Sequence, residues 1–276
     1  MTSLGVTQKP DGVDVAVFSA HADAIELCIF DGWDAEMGRF LLSNRTGDIF
    51  HDFIPGIVPG TRYGLRAHGS FTPWQGNRFN PNKLLVDPYA TQIDRAFRLH
   101  PAMFDNGGAP LPTDSAPFVP KGITGNPPVA KAPPPADWPN LVIYELHVRG
   151  FSKLNDAIPE QDRGTFRGLA HPASIGYLQK LGITAVEILP CAAWIDERHL
   201  PPLGLSNYWG YNPIAFCAPD PRLAPGGFAD IAGAVAELRR AGIATILDGS
   251  STTAARATNS APRFRCAAWI TPRTTG

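Results

Sequence analysis

Side chains able to move protons sit near the ends of apolar runs in the second half of the chain. Glu145 lies within the run 141–146 and His147 follows it. Glu187 lies within 183–190, and Asp248 closes the run 243–248. Carboxylates and imidazoles serve general acid–base chemistry when they converge on one reacting group. They serve equally as structural partners, and Glu145, His147 and Glu187 read that way. An Asp that follows a strand can also cap the next loop. Asp196 and Glu197 are adjacent, and consecutive side chains rarely converge, so that pair reads as a solvated loop. No catalytic residue is assigned among these. Cys28, Cys191, Cys217 and Cys266 are scattered without a CxxC pair, so no metal site is expected. They read as buried thiols in a reducing compartment.

The elements that must position these groups follow from composition and pattern. The chain has 276 residues, 44% hydrophobic and 18% charged, with a formal net charge of −1. That suits a globular protein with a sizeable core and gives no basic excess for nucleic acid. No apolar run approaches the roughly 20 residues that span a bilayer. Residues 1–5 lack the basic and apolar regions of a secretory signal, so a cytoplasmic location is expected.

Residues 1–100 alternate in short runs (13–19, 24–30, 51–54, 61–67) separated by Asp-Gly and Pro-Gly turns, which predicts a β-sandwich. Residues 101–138 are punctuated by proline and read as an extended connector over the surface. From 139 the pattern changes to strand (141–146), helix (174–181), strand (183–190), helix (228–240) and strand (243–248). The compact apolar run 141–146 predicts a strand covered on both faces. This order predicts an α/β parallel arrangement that delivers its strand ends to one rim. Residues 249–276 break every pattern. They hold four arginines and no Asp, Glu or Lys, and without them the chain carries 20 basic and 25 acidic residues, a net of −5.

Four long motifs then stand in order: residues 77–90 (NRFNPNKLLVDPYA), 143–152 (IYELHVRGFS), 163–169 (RGTFRGL) and 207–213 (NYWGYNP). In this order they resemble the glycogen debranching and isoamylase branch of the α-amylase superfamily, glycoside hydrolase family 13, over roughly residues 4–248. The resemblance implies a multidomain fold: an immunoglobulin-like, carbohydrate-binding-module-like β-sandwich followed by an α/β barrel of the (β/α)₈ type, here incomplete. It implies hydrolysis of α-1,6 branch linkages in glycogen or limit dextrin by a retaining mechanism, with no cofactor, no metal and a branched α-glucan as partner. Retaining glycosidases use two carboxylates about 5–5.5 Å apart, and in this family they lie from the fourth barrel strand onward. The resemblance therefore implies substrate-binding residues but no catalytic ones. Tyr211 matches the aromatic that stacks on the sugar at the cleavage subsite, and Asp248 matches the supporting Asp at the end of strand three. The Asp220-Pro221-Arg222 loop matches the segment that positions the rim. Trp33 and Trp74 read either as glucan contacts on the sandwich or as core and turn residues.

The expectation is an N-terminal portion of such an enzyme, itself inactive, with a glucan-binding module as the alternative reading. In relatives the third-strand Asp is followed by Val-Val-Phe-Asn-His. Read one base out of phase, the segment from that Phe gives residues 251–258, and a later family segment gives 268–276. Residues 249–276 are therefore expected to be a frameshifted, structureless tail. In-frame Val-Val-Phe-Asn-His on restoring one base in the coding DNA is the outcome that tests this.

Overall fold

The computed structural model describes residues 3–105, 108–127 and 138–249. Cys266, the prolines 133–135 and the expected tail beyond Gly249 lie outside the described residues.

The first part holds strands β1 (Gly5–Lys9), β2 (Gly12–Phe18), β3 (Ala24–Phe30), β4 (Glu36–Leu41), β5 (Asn44–Thr46), β6 (Ile49–Pro55) and β7 (Arg62–His68). A small hairpin, β8 (Phe71–Thr72) with β9 (Asn77–Arg78), and β10 (Gly122–Ile123) follow. Two antiparallel sheets result, in the orders β1-β2-β6-β5 and β10-β7-β3-β4. Period-two alternation makes the sandwich. Val13, Val15 and Val17 of one sheet meet Ile25, Leu27, Tyr63 and Leu65 of the other in a single core.

The far side of the second sheet is covered as well. Cys28 and Phe30 pack there against Leu84, Ala116 and Val119. The expectation of a connector running over the surface is thereby corrected. Residues 115–124 are largely buried, and β10 pairs with β7 at Gly122↔Tyr63 and Ile123↔Arg62. Two buried cations fasten this layer. Arg66 donates to Glu36, Asp114 and the Pro81 carbonyl. Lys121 donates to the Ala116 and Val119 carbonyls and pairs with Asp34 at 3.2 Å. The 77–90 motif supplies anchors of the same kind. Lys83 donates to the carbonyls of Ala102 and Thr113, and buried Asp87 accepts from the Tyr63 hydroxyl at 2.8 Å.

The second part runs β11 (Ile143–Leu146), α1 (Val148–Ser152), α2 (Phe166–Leu169), α3 (Pro172–Lys180), β12 (Ala185–Ile188), β13 (Ala192–Trp194), β14 (Pro213–Pro219), α4 (Phe228–Arg240) and β15 (Ala244–Leu247). Strands β11, β12 and β15 form a parallel sheet in that order, and β13–β14 form a hairpin. The sheet is open, so this part is an incomplete barrel. The RGTFRGL motif builds the layer beneath it. Gly164, at φ +78°, turns the chain so that its N–H reaches the Ser152 hydroxyl at 2.8 Å, and Phe166 and Leu169 are fully buried.

Helices α2, α3 and α4 cover one face of the sheet, with Leu146, Val186, Ile188, Leu178 and Leu238 in the shared core. The expectation of a first strand covered on both faces is corrected: Ile143 and Glu145 are exposed, because no described element lies on their side. The cysteines also depart from expectation. Cys28 is buried, Cys191 half-buried and Cys217 exposed, since β14 belongs to a short hairpin with an open face. Ala193 of β13 and Ala215 and Ala218 of β14 join the sandwich core, and the Phe216 N–H donates to the Pro88 carbonyl.

Candidate functional site

The parallel strands run in register, with Glu145 opposite Glu187 and Glu187 opposite Ile246. Leu146, Val186 and Ile188 point into the helical core, so their sequence neighbours point to the other face. Asp248 follows β15 and is held by its own N–H, which donates to the Ile188 carbonyl at 2.9 Å. Its side chain accepts a hydrogen bond from the Tyr211 hydroxyl at 2.5 Å. The structure thus brings together the two residues singled out in the sequence, which lie 37 positions apart. Tyr211 is half-exposed. Its phenol is pushed up to about 12, first by the bond to Asp248, then by burial and by the negative charges of Asp248, Glu145 and Glu187.

The loop that carries Tyr211 is pinned by polar contacts. Asp196 accepts from the Asn207 backbone N–H at 2.8 Å, and Glu197 accepts from the Asn207 side-chain amide at 2.9 Å. Asn207 Oδ1 in turn accepts from the Gly210 N–H at 2.9 Å. The adjacent acidic pair, expected to be a solvated loop, instead holds Asn207. Gly210 makes the turn at φ +78°, where a Cβ would sit 2.9 Å from the Pro190 carbonyl oxygen. Sequence reasoning missed these contacts of Asn207 because its partners lie on a loop ten residues upstream with no periodic signal.

Two further groups brace this loop. The His147 ring stacks on Tyr208, with centroids 4.2 Å apart and planes 15° from parallel. Its Nε2 donates to the Tyr208 carbonyl at 2.7 Å, and its Nδ1 accepts from the Gly150 N–H as the N-cap of α1. Both nitrogens are used by the neutral ring, and burial holds its pKa below the usual histidine range. Asp220 is fully buried and takes a bidentate contact from Arg222, both distances 2.8 Å. The Arg222 guanidinium lies 3.8 Å over the Trp194 ring, and the Trp194 indole N–H donates to the Asn207 carbonyl. Tyr208, Trp209 and Tyr211 remain partly exposed, and of the three Tyr211 is the one bonded to Asp248.

Trp33 and Trp74 are 92% and 78% exposed, which removes the core reading for both. Trp33 sits on the β3–β4 turn, and Trp74 on a single 3₁₀ turn, Pro73–Gln75. Among the described residues no three His, Cys, Asp or Glu side chains are grouped to hold a metal ion, and no helix is long and apolar enough to cross a membrane.

The family profile of carbohydrate-binding module 48 (isoamylase N-terminal domain) matches residues 3–90. The glycogen debranching enzyme of Yersinia enterocolitica is 46% identical over 255 residues, covering 90% of this chain and 38% of that enzyme. The glycogen debranching enzyme of Salmonella typhi is 42% identical over 253 residues, with the same coverage of 90% and 38%. Among solved structures, pullulanase type I from Bacillus subtilis, complexed with maltose, superposes with a TM-score of 0.63 at 19% identity, covering 90% of this chain and 33% of that one. The chain spans little more than a third of the length of the relatives it matches. With its sandwich followed by an open parallel sheet, the chain shows strong homology to the glycogen debranching and isoamylase branch of the α-amylase superfamily.

Proposed function

We propose that this chain supplies the sugar-contacting first part of a glycoside hydrolase that cleaves α-1,6 branch linkages of glycogen or limit dextrin by a retaining mechanism. The observation that carries the reading is the Tyr211–Asp248 hydrogen bond at the carboxyl-terminal rim of the parallel sheet, the rim where barrels of this kind do their chemistry. An aromatic face suits the apolar face of a glucose ring. Asp248, by holding the phenol, fixes the tilt of that face, so Tyr211 stacks on the sugar and Asp248 supports it. Neither acts as nucleophile or acid. Glu145 and Glu187 stand side by side on the strands, below the rim, and are not the catalytic pair. The reaction takes place in the cytoplasm and needs no cofactor.

The 276-residue chain alone is proposed to bind branched α-glucan and to hydrolyse nothing. The purified chain releases no reducing ends from limit dextrin above a blank, and release above the blank overturns this. In affinity electrophoresis through glycogen the chain is retarded, and Tyr211→Ala lowers the retardation several-fold. Unretarded migration of the unsubstituted chain sinks the glucan reading. The carbohydrate-binding-module match favours a second contact on the sandwich. Trp33→Ala and Trp74→Ala report it in the same gel.

A further inference from the structure

Tyr211 meets Asp248 through one hydrogen bond from a half-exposed ring. A single exposed bond competes with water and does not by itself hold a loop in place. Stronger support stands three residues earlier, at Tyr208. Its ring lies face to face with His147 and edge-on to Trp209, the latter with centroids 5.3 Å apart. Its carbonyl accepts from His147 Nε2. Its hydroxyl end is set against Gly150. A Cβ added at 150 would stand 2.2 Å from the hydroxyl oxygen but 3.6 Å from the ring carbon that bears it. The first distance forbids a side chain, and the second is ordinary packing. Gly150 lies within α1 and has no left-handed φ, so its own backbone does not call for glycine. Helix propensity favours alanine there. The Tyr208 hydroxyl is what requires the glycine.

We propose that His147 and Gly150 form a seat for Tyr208, and that through this seat they are positioning residues for the sugar contact made by Tyr211. This role rests on the reading of Tyr211 as a sugar contact. His147 supplies a flat face and a donor, and Gly150 supplies the space for the hydroxyl. From the seat the chain passes through Gly210, at φ +78°, and delivers the phenol to Asp248. The motif 143–152 is thereby the receptor for the motif 207–213. Asn207, held by Asp196 and Glu197, fixes the start of the same turn from the other side.

Two readouts on the purified 276-residue chain test the seat. The first is retardation by glycogen in affinity electrophoresis, taken as the part that Tyr211→Ala removes. The second is nitration of Tyr211 by tetranitromethane at about pH 8, located by peptide mapping. The reagent attacks phenolate, and this phenol is held up at about 12 by the bond to Asp248, then by burial and the neighbouring negative charges. Gly150→Ala is expected to lower the Tyr211-dependent retardation at least about fivefold. It is expected to speed nitration of Tyr211 at least about tenfold, with nitration of Tyr177 on α3 unchanged. Gly150→Ala combined with Tyr208→Phe removes the clashing oxygen and is expected to restore both readouts to within about twofold. At 147, Gln keeps a donor at the reach of Nε2, and Asn keeps an acceptor at the place of Nδ1. His147→Gln is expected to stay within about threefold in both readouts, and His147→Asn to lose them as Gly150→Ala does. Gly150→Ala that matches the unsubstituted chain overturns the role, as does failure of Tyr208→Phe to rescue it, since the damage then lies in α1 itself. Rescue by Asn and not by Gln reduces His147 to the cap of α1 and overturns its part. An unretarded chain, or retardation that Tyr211→Ala leaves unchanged, overturns the sugar reading and the role with it. Retardation that depends on Tyr211 but not on Gly150 overturns the role alone.

Discussion

His147 holds two backbone groups at once, the Tyr208 carbonyl and the Gly150 N–H, and does so as a neutral ring. Its folded pKa lies below the ordinary value because burial disfavours the charged ring. The sign follows from linkage. The unfolded imidazole takes up its proton near pH 6.5, while the folded one resists. The stability due to His147 is therefore fully present above about pH 6.5 and is lost as pH falls toward the lower folded pKa. Urea midpoints should fall between about pH 7.5 and 5.5, and His147→Asn should flatten that slope. An unchanged slope would assign the pH dependence elsewhere. At this scale the sequence was partly legible. Tyr211 stood within the motif 207–213, and Asp248 closed the apolar run 243–248. Asn207 opens the motif 207–213 and the Asp220-Pro221-Arg222 loop was singled out as well, but the bonds of Asn207 to Asp196 and Glu197 and the pairing of Arg222 with buried Asp220 are visible only in the fold.

Among the elements, β7 carries the heaviest polar duty. Arg66 sits in the middle of it, fully buried, and ties β4 through Glu36 to the segment after the sandwich through Asp114. Arg66→Met leaves both carboxylates without that partner. The cost should be about 3 kcal/mol, the low end for breaking a buried pair, because Asp114 is half-exposed and water offsets part of its loss. Equilibrium urea unfolding measures it, and a change within about 0.5 kcal/mol would make the contact merely superficial. The elements themselves were legible where burial is one-sided and long. Helix α4 begins and ends at the residues its apolar stripe and the Ala241-Gly242 stop indicate. Strand β4 was not, because its residues are only partly buried and two of its six are charged. Strand β10 was not, because two residues have no period and become a strand only by pairing with β7.

Among the described residues, an alanine seam joins the second part to the sandwich core. Ala193, Ala215 and Ala218 lie in the hairpin of the second part yet pack into the core of the first. Small side chains there let the two parts approach closely. Ala215→Leu overpacks a fully buried position and should destabilise the chain by about 1–3 kcal/mol. The loss should appear as an earlier urea midpoint reported both by sandwich and by sheet probes. Loss confined to one part would show that the seam does not couple them. Composition alone gave no hint of this seam, since alanine is unremarkable until two faces meet at it. The register of the sheet has one further consequence, best stated as parity. Glu187 and Ile246 stand opposite one another, and Asp248 stands two positions beyond Ile246, so these side chains share a face. Removing or adding a single residue between Gly242 and Asp248 exchanges odd for even. The carboxylate would turn toward the helices, Tyr211 would lose its acceptor, and Leu247 would take the rim. Within β15 only changes of two residues keep the carboxylate and the phenol on the same side.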